Sequence, residues 1–416
     1  MLGKIFIAVL FCIVPTITNA AAKPIVMGYW ENWGAYQDFP MPNNAKGSTN
    51  AKLSAQLTII NAIAYAFLEV AKDGSLQFGD AWSDLDPKSV QDKKFCNALR
   101  TSCPGFPQKA GLGNFTAFTK THIKHHVVAV GGAGHDKAWE NAFVHPEKFI
   151  ASLKTLVTVY KIDWLDIDYE PIGGVPEYNI SRFIELIHKI RLALPSLTLS
   201  YPIPANFHSV ENFGKANWQK LSADLNYISI MGYDMHGSFD GAHPYTALHS
   251  ALVDAKENDY SIENTLRELN NAGVANSKII LGMPMYGRAV GGVVAKGINQ
   301  LFTKGVRGDL DQKYCRTHLR SSKRCDGTIQ YKTLVDQNYT AIPVILDKRL
   351  VGVYAYDAKK NIFVSYDNPA SAAAKTRYAL DKQLAGVMFW ALRFDKPIDD
   401  PQSILAAVDR VILLPK

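Results

Sequence analysis

Asp163-Trp164-Leu165-Asp166-Ile167-Asp168-Tyr169-Glu170 sets large apolar residues among acidic ones. On an extended strand successive side chains face opposite ways, so Asp166, Asp168 and Glu170 share one face and step along it. Trp164, Leu165, Ile167 and Tyr169 mark the strand as buried. Three carboxylates in file cannot all ionise, so one of them must hold a proton. A carboxylic acid raised in this way suits protonation of a leaving group near neutral pH, and Glu170, last in file, is placed to present it. Carboxylate pairs also bind divalent metals, and the spacing leaves glycoside hydrolysis and metal binding both open. Asp163 falls off the file by parity and is read as structural support.

Working outward, similar short runs begin near Ile25, Thr58, His126, Leu197, Asn226, Lys278 and Ala385, which with the quoted stretch predicts eight strands. Phe149, Ile150, Leu153, Leu156, Val157 and Tyr160 recur at helical spacing after Pro146, and Ile180, Phe183, Ile184, Ile187 and Ile190 do so further on. Strands alternating with helices predict an α/β fold, a (β/α)8 TIM barrel with its functional groups at the C-terminal strand ends. One βα unit needs about 30 residues. The much longer interval between the runs at Lys278 and Ala385 predicts a small α+β insertion domain over residues 289–365, within a barrel spanning 24–416, between strand 7 and its helix. The long second interval, which carries Cys96 and Cys103, is expected above the barrel mouth.

Lys4 followed by the apolar run Ile5–Val14 and small residues predicts a signal peptide over residues 1–20. The product is expected to be secreted, extracellular or periplasmic, and free of the membrane after cleavage. Of five cysteines, Cys12 leaves with that segment. Three pairings of the rest are possible, and the short intervening loops favour disulfides Cys96 with Cys103 and Cys315 with Cys325. CxxC spacing is absent, which argues against zinc. Lys plus Arg (45) exceeds Asp plus Glu (38), but without basic runs, so nucleic acid is not expected as a partner. Aromatic residues reach 11%, a surplus that a sugar-binding cleft would use.

The stretch resembles the DxxDxDxE signature of family 18 glycoside hydrolases, the chitinases. The likeness continues through Met231-Gly-Tyr233-Asp234, Gly282-Met-Pro-Met-Tyr286-Gly-Arg288, Ser365-Tyr-Asp367 and Gly386-Val-Met-Phe-Trp390, in the family's order. The resemblance implies a retaining mechanism in which the substrate's own N-acetyl group is the nucleophile. Glu170 would be the acid and then the base. Asp168 would orient the acetamido group and balance the oxazolinium, with Asp166 sharing its proton in the resting state, and Tyr233 would bond the same acetamido group. Met231, Asp234 and Arg288 would line the sugar site and Trp390 would floor it, while Tyr29, Trp30, Trp33 and Phe67, near the ends of the first two strands, are expected to wall the cleft. Chitin or chitooligosaccharide is then the expected substrate and partner, no cofactor or metal is required, and a monomer is expected.

The strand end that reads SxGG in the family is Ala129-Val130-Gly131-Gly132 here. Its glycines are retained as structural support, but the serine hydroxyl that steadies the buried carboxylates is missing. Ala133 and Pro171 replace aromatic residues common in relatives. A lectin-like relative is an alternative that retention of Asp168 and Glu170 opposes. An endo-β-N-acetylglucosaminidase acting on N-glycans is another, opposed by the insertion beside the groove.

Overall fold

Parallel strands buried on both faces close upon themselves when each is followed by a helix. A computed structural model shows this architecture, and it describes residues 23–36, 48–99, 102, 111–240, 244–254, 260–311, 315–318 and 325–414. The expected signal peptide, residues 1–20, lies outside the described residues, as does Cys103. The barrel strands are, first to eighth, Ile25–Glu31, Ala62–Val70, His125–Gly131, Trp164–Asp168, Thr198–Pro204, Tyr227–Met231, Ile279–Pro284 and Gly386–Trp390. Each pairs in parallel with the next, and the eighth returns to the first. The second strand starts at Ala62 rather than Thr58, because Leu57, Ile59 and Ile60 still bond back to Leu53 and Gln56 as the last turn of the preceding helix.

The helices form the outer ring. Pro146–Tyr160 opens with proline in its first turn and buries Phe149, Leu153, Leu156 and Tyr160 on one face. Each such side chain contributes about 1.5–3 kcal/mol on burial. Behind the fourth strand, Tyr169 packs on Phe183 of the helix Glu177–Ala193, with ring centroids 5.4 Å apart. Inside the barrel Trp164 stacks on Tyr227 at 4.9 Å and closes the floor beneath the carboxylates.

Two expectations change. Cys96 lies on the helix Val90–Leu99, which packs on the barrel flank rather than over the mouth. Buried Asp92 and Phe95 give this helix an inner face: Tyr160 donates to Asp92 at 2.9 Å, and Phe95 meets the Tyr160 ring at 5.4 Å. The expected seventh strand also divides. Its barrel part ends at Pro284, and after Met285, whose N–H is held by Trp390 O, Tyr286–Gly291 becomes a strand of a second sheet. That sheet is antiparallel and contains Lys304–Gly305, Thr328–Gln330, Ile342–Leu346, Arg349–Asp357 and Ile362–Tyr366. Cys315 and Cys325 form a disulfide at its edge. The helix Pro369–Asp381 then leads back to the eighth strand, so the insertion sits between the seventh strand and its helix.

Candidate active site

Asp166 and Asp168 project inward from the fourth strand, and Glu170 follows just beyond its end. Asp166 is completely buried. The Tyr29 phenol donates to its Oδ2 at 2.5 Å and the Ser200 hydroxyl donates to its Oδ1. Asp168 instead hydrogen-bonds Glu170, and its Oδ1 is buried without a partner among the described residues. Asp166 thus takes hydroxyl donors on both oxygens, while Asp168 leans on Glu170. The hydroxyl expected to be missing at Ala129 is also supplied: Ser200, across the strand pair, takes that place.

Burial pushes Asp168 well above the usual carboxylate range, and the neighbouring charges of Glu170 and Asp166 push it further. Glu170 is raised to about 7, first by burial; its bond to Asp168 opposes this, while Asp234 and Asp166 add to it. Burial also raises Asp166, against the hydrogen bonds from Ser200 and Tyr29. Near neutral pH the file therefore keeps a proton between Asp168 and Glu170.

An open cleft of about 390 Å³ lies above this pair. Trp390 stacks on Phe67 at 5.4 Å and meets Tyr29 at 5.3 Å and Trp33 at 6.1 Å, so four aromatic rings line one side. Gly131 and Gly132 both hold positive φ, and a Cβ at Gly131 would come within 2.2 Å of Asp168 O. At Gly132 it would press on the Phe67 ring, so these glycines let the acidic strand and the aromatic wall approach.

Trp30 does not join this wall, because it is buried against Tyr65 and Phe115 away from the cleft. Met231, Tyr233, Asp234 and Arg288 also line the cleft. Tyr233 follows the sixth strand; burial and then the nearby Asp168 and Glu170 charges keep its hydroxyl protonated, and it sits 3.9 Å from Met388 Sδ. Arg288 belongs to the insertion sheet and grips Asp234 with two bonds of 2.7 Å. Burial works to raise Asp234, but the Arg288 guanidinium holds it below the usual range. Asp163 lies at the other end of its strand, bonded to His125 Nδ1 at 2.7 Å and the His126 amide at 2.6 Å.

Sequence reasoning missed Ser200, Thr328 and His249. Ser200 has the inward parity but meets Asp166 only through strand register. Thr328 accepts Arg288 Nη1 at 2.6 Å from a strand separated by the insertion's loops. His249 is fully buried with Nδ1 3.7 Å from Asp234 Oδ1, a contact no motif signals.

The sequence profile of Glycosyl hydrolases family 18 matches residues 25–395. Endochitinase 1 of Metarhizium robertsii is 24% identical, over 94% of this chain and 86% of that protein. Chitinase B of Serratia marcescens is 26% identical, over 92% and 81% respectively. Among solved structures, chitinase ChiA74 from Bacillus thuringiensis superposes with a TM-score of 0.71 at 20% identity, covering 94% of this chain and 70% of its own, a likeness of fold.

Proposed function

The chain belongs to Glycosyl hydrolases family 18, and from that premise we propose that it is a secreted chitinase, cleaving β-1,4 linkages between N-acetylglucosamine units with retention. The observation that carries the reading is the inward file of Asp166, Asp168 and Glu170 beneath an aromatic-walled cleft. Glu170 donates to the glycosidic oxygen as the bond breaks. Asp168 turns from Glu170 to the acetamido N–H, aims the carbonyl oxygen at the anomeric carbon and balances the oxazolinium that forms. Glu170, now a carboxylate, removes a proton from water, which opens the oxazolinium from the original face. Tyr233 donates to the acetamido oxygen. Trp390 stacks beneath the sugar, Tyr29 and Phe67 complete the wall, and the Asp234–Arg288 pair with Met231 closes the other side.

A 2-acetamido group is required by this route, which selects glycans built of N-acetylated sugars, and the insertion beside the groove favours a linear chain of chitin or its oligosaccharides over an N-glycan. Export is supported by the Lys4 and Ile5–Val14 pattern and by the Cys315–Cys325 disulfide, a bond suited to oxidising compartments. Among the described residues no helix is long and apolar enough to cross a membrane. Hydrolysis of chitohexaose with resolution of the product anomers tests the mechanism: β-anomers are expected first, and α-anomers as initial products would overturn it.

A further inference from the structure

A file of three carboxylates needs something to determine where its proton sits, and the barrel layer around Asp166 supplies it. Strand register places Ser200 beside Asp166 on one flank and Ala129, which has no hydroxyl, on the other. Trp164, one inward position lower on the same strand, donates its indole N–H to Ser200 Oγ at 2.6 Å. Trp164, Ser200 and Asp166 are all fully buried. An indole nitrogen can only donate, and a serine hydroxyl carries a single proton. With the indole N–H aimed at its oxygen, the Ser200 hydroxyl turns its proton to Asp166 Oδ1. Tyr29 commits its own proton to Oδ2 in the same way. Both carboxylate oxygens thus face donors, an environment that favours the ionised acid.

We propose that Trp164 and Ser200 are positioning residues that hold Asp166 as the deprotonated member of the file and so confine the proton to the Asp168–Glu170 hydrogen bond, where the reaction draws on it. This rests on the roles given above to Asp168 and Glu170. The titratable groups facing Asp166 are Tyr29 from the first strand, Asp168 and Glu170 along its own, and Tyr233 past the sixth. None of these is a cation, so the hydroxyl donors carry the discrimination. Without the Ser200 donor, Asp166 competes for the proton, and the population with a protonated Glu170 beside an ionised Asp166 falls.

The test is the pH dependence of kcat on a chitooligosaccharide for Ser200→Ala, Ser200→Thr, Trp164→Phe and the double variant Ser200→Ala with Ala129→Ser. Ser200→Ala is expected to lower kcat on the order of tenfold with KM changed less than about twofold. Its acid limb should move to higher pH, because an Asp166 that has lost a donor protonates more readily. Trp164→Phe should move the limb in the same direction by less. Ser200→Thr should stay close to wild type, and Ala129→Ser should return part of the lost limb from the opposite flank. If Ser200→Ala does not fold, as judged by thermal melting, Trp164→Phe carries the same test. A folded Ser200→Ala or Trp164→Phe with an unmoved acid limb overturns the proposal, as does a lowered kcat that neither Ser200→Thr nor Ala129→Ser mends. Glu170→Gln separates the two levels: wild-type turnover there would bring down the assignment of the acid itself, whereas an inactive Glu170→Gln with an unmoved Ser200→Ala limb brings down only the positioning role.

Discussion

Asp168 and Asp234 line the same cleft, the first buried and the second partly exposed, and desolvation works to raise both, yet they finish in opposite protonation states. Around Asp168 the nearest charges are other carboxylates, so burial wins and the group keeps a proton with Glu170. Around Asp234 the Arg288 guanidinium supplies two charge-assisted bonds, which outweigh burial and hold a permanent anion. Burial alone does not set the outcome; the partner does. The barrel contributes the mobile proton, and the seam between barrel and insertion contributes the fixed charge. Arg288 comes from the insertion and Asp234 from the barrel, so this fixed charge exists only where the two sheets meet.

Glu170→Gln breaks the comparison at its mobile end and should have the largest effect. The amide cannot donate as a carboxylic acid does, so kcat on chitohexaose should fall on the order of a thousandfold or more. The side chain is nearly isosteric, so titration calorimetry should find chitooligosaccharide affinity within a few-fold of wild type. Turnover near the wild-type rate would reassign the acid.

Asp234→Asn and Arg288→Ala act at the fixed end and should have smaller effects. Asp234 helps to raise Glu170. Removing its charge should lower the Glu170 pKa, so the alkaline limb of kcat, which reports loss of the acid's proton, should move to lower pH. Arg288→Ala leaves Asp234 without its counter-charge and frees one wall of the cleft. KM should rise roughly tenfold, the scale of a lost charge-assisted bond, with a smaller change in kcat. An Asp234→Asn profile that superposes on wild type would show that the seam does not communicate with the file.

How far each half of the site could be read from sequence follows the same division. Asp166, Asp168 and Glu170 are local: strand parity alone puts them on one face, and the density of charge in a buried strand announces an unusual proton. The eight strands were legible for the same reason, since apolar runs and their spacing are local signals. Contacts made across strands were not. The Tyr29 and Ser200 bonds to Asp166 depend on register, which a single sequence does not specify, so these two donors are not legible in it. Arg288 was recognised by its motif, but its position on the insertion sheet depends on where the chain leaves the barrel, at Met285. The helix bearing Cys96 is hard to read from sequence, because its inner face rests chiefly on one buried aromatic and one buried acid, too sparse a pattern to reveal a flank-packed helix.

The smallest effect concerns stability, and its sign follows from the same proton. Glu170 has a folded pKa of about 7 against an ordinary value of 4.5. Between those values the folded protein binds more protons than the unfolded chain, so this group lowers stability progressively as pH rises through the window. Glutamine at position 170 does not titrate and escapes that penalty. Thermal melting of Glu170→Gln and wild type should therefore give similar Tm at pH 4.5, with the variant the more stable at pH 8. Arg288→Ala shows no such gain, because the partly exposed Asp234 carboxylate only loses the two charge-assisted bonds that Arg288 gave it; its Tm should fall slightly at pH 8. If Glu170→Gln gained nothing at pH 8, the carboxylate file would be as comfortable when charged as the Asp234–Arg288 pair, and the contrast between the two sides of the cleft would disappear.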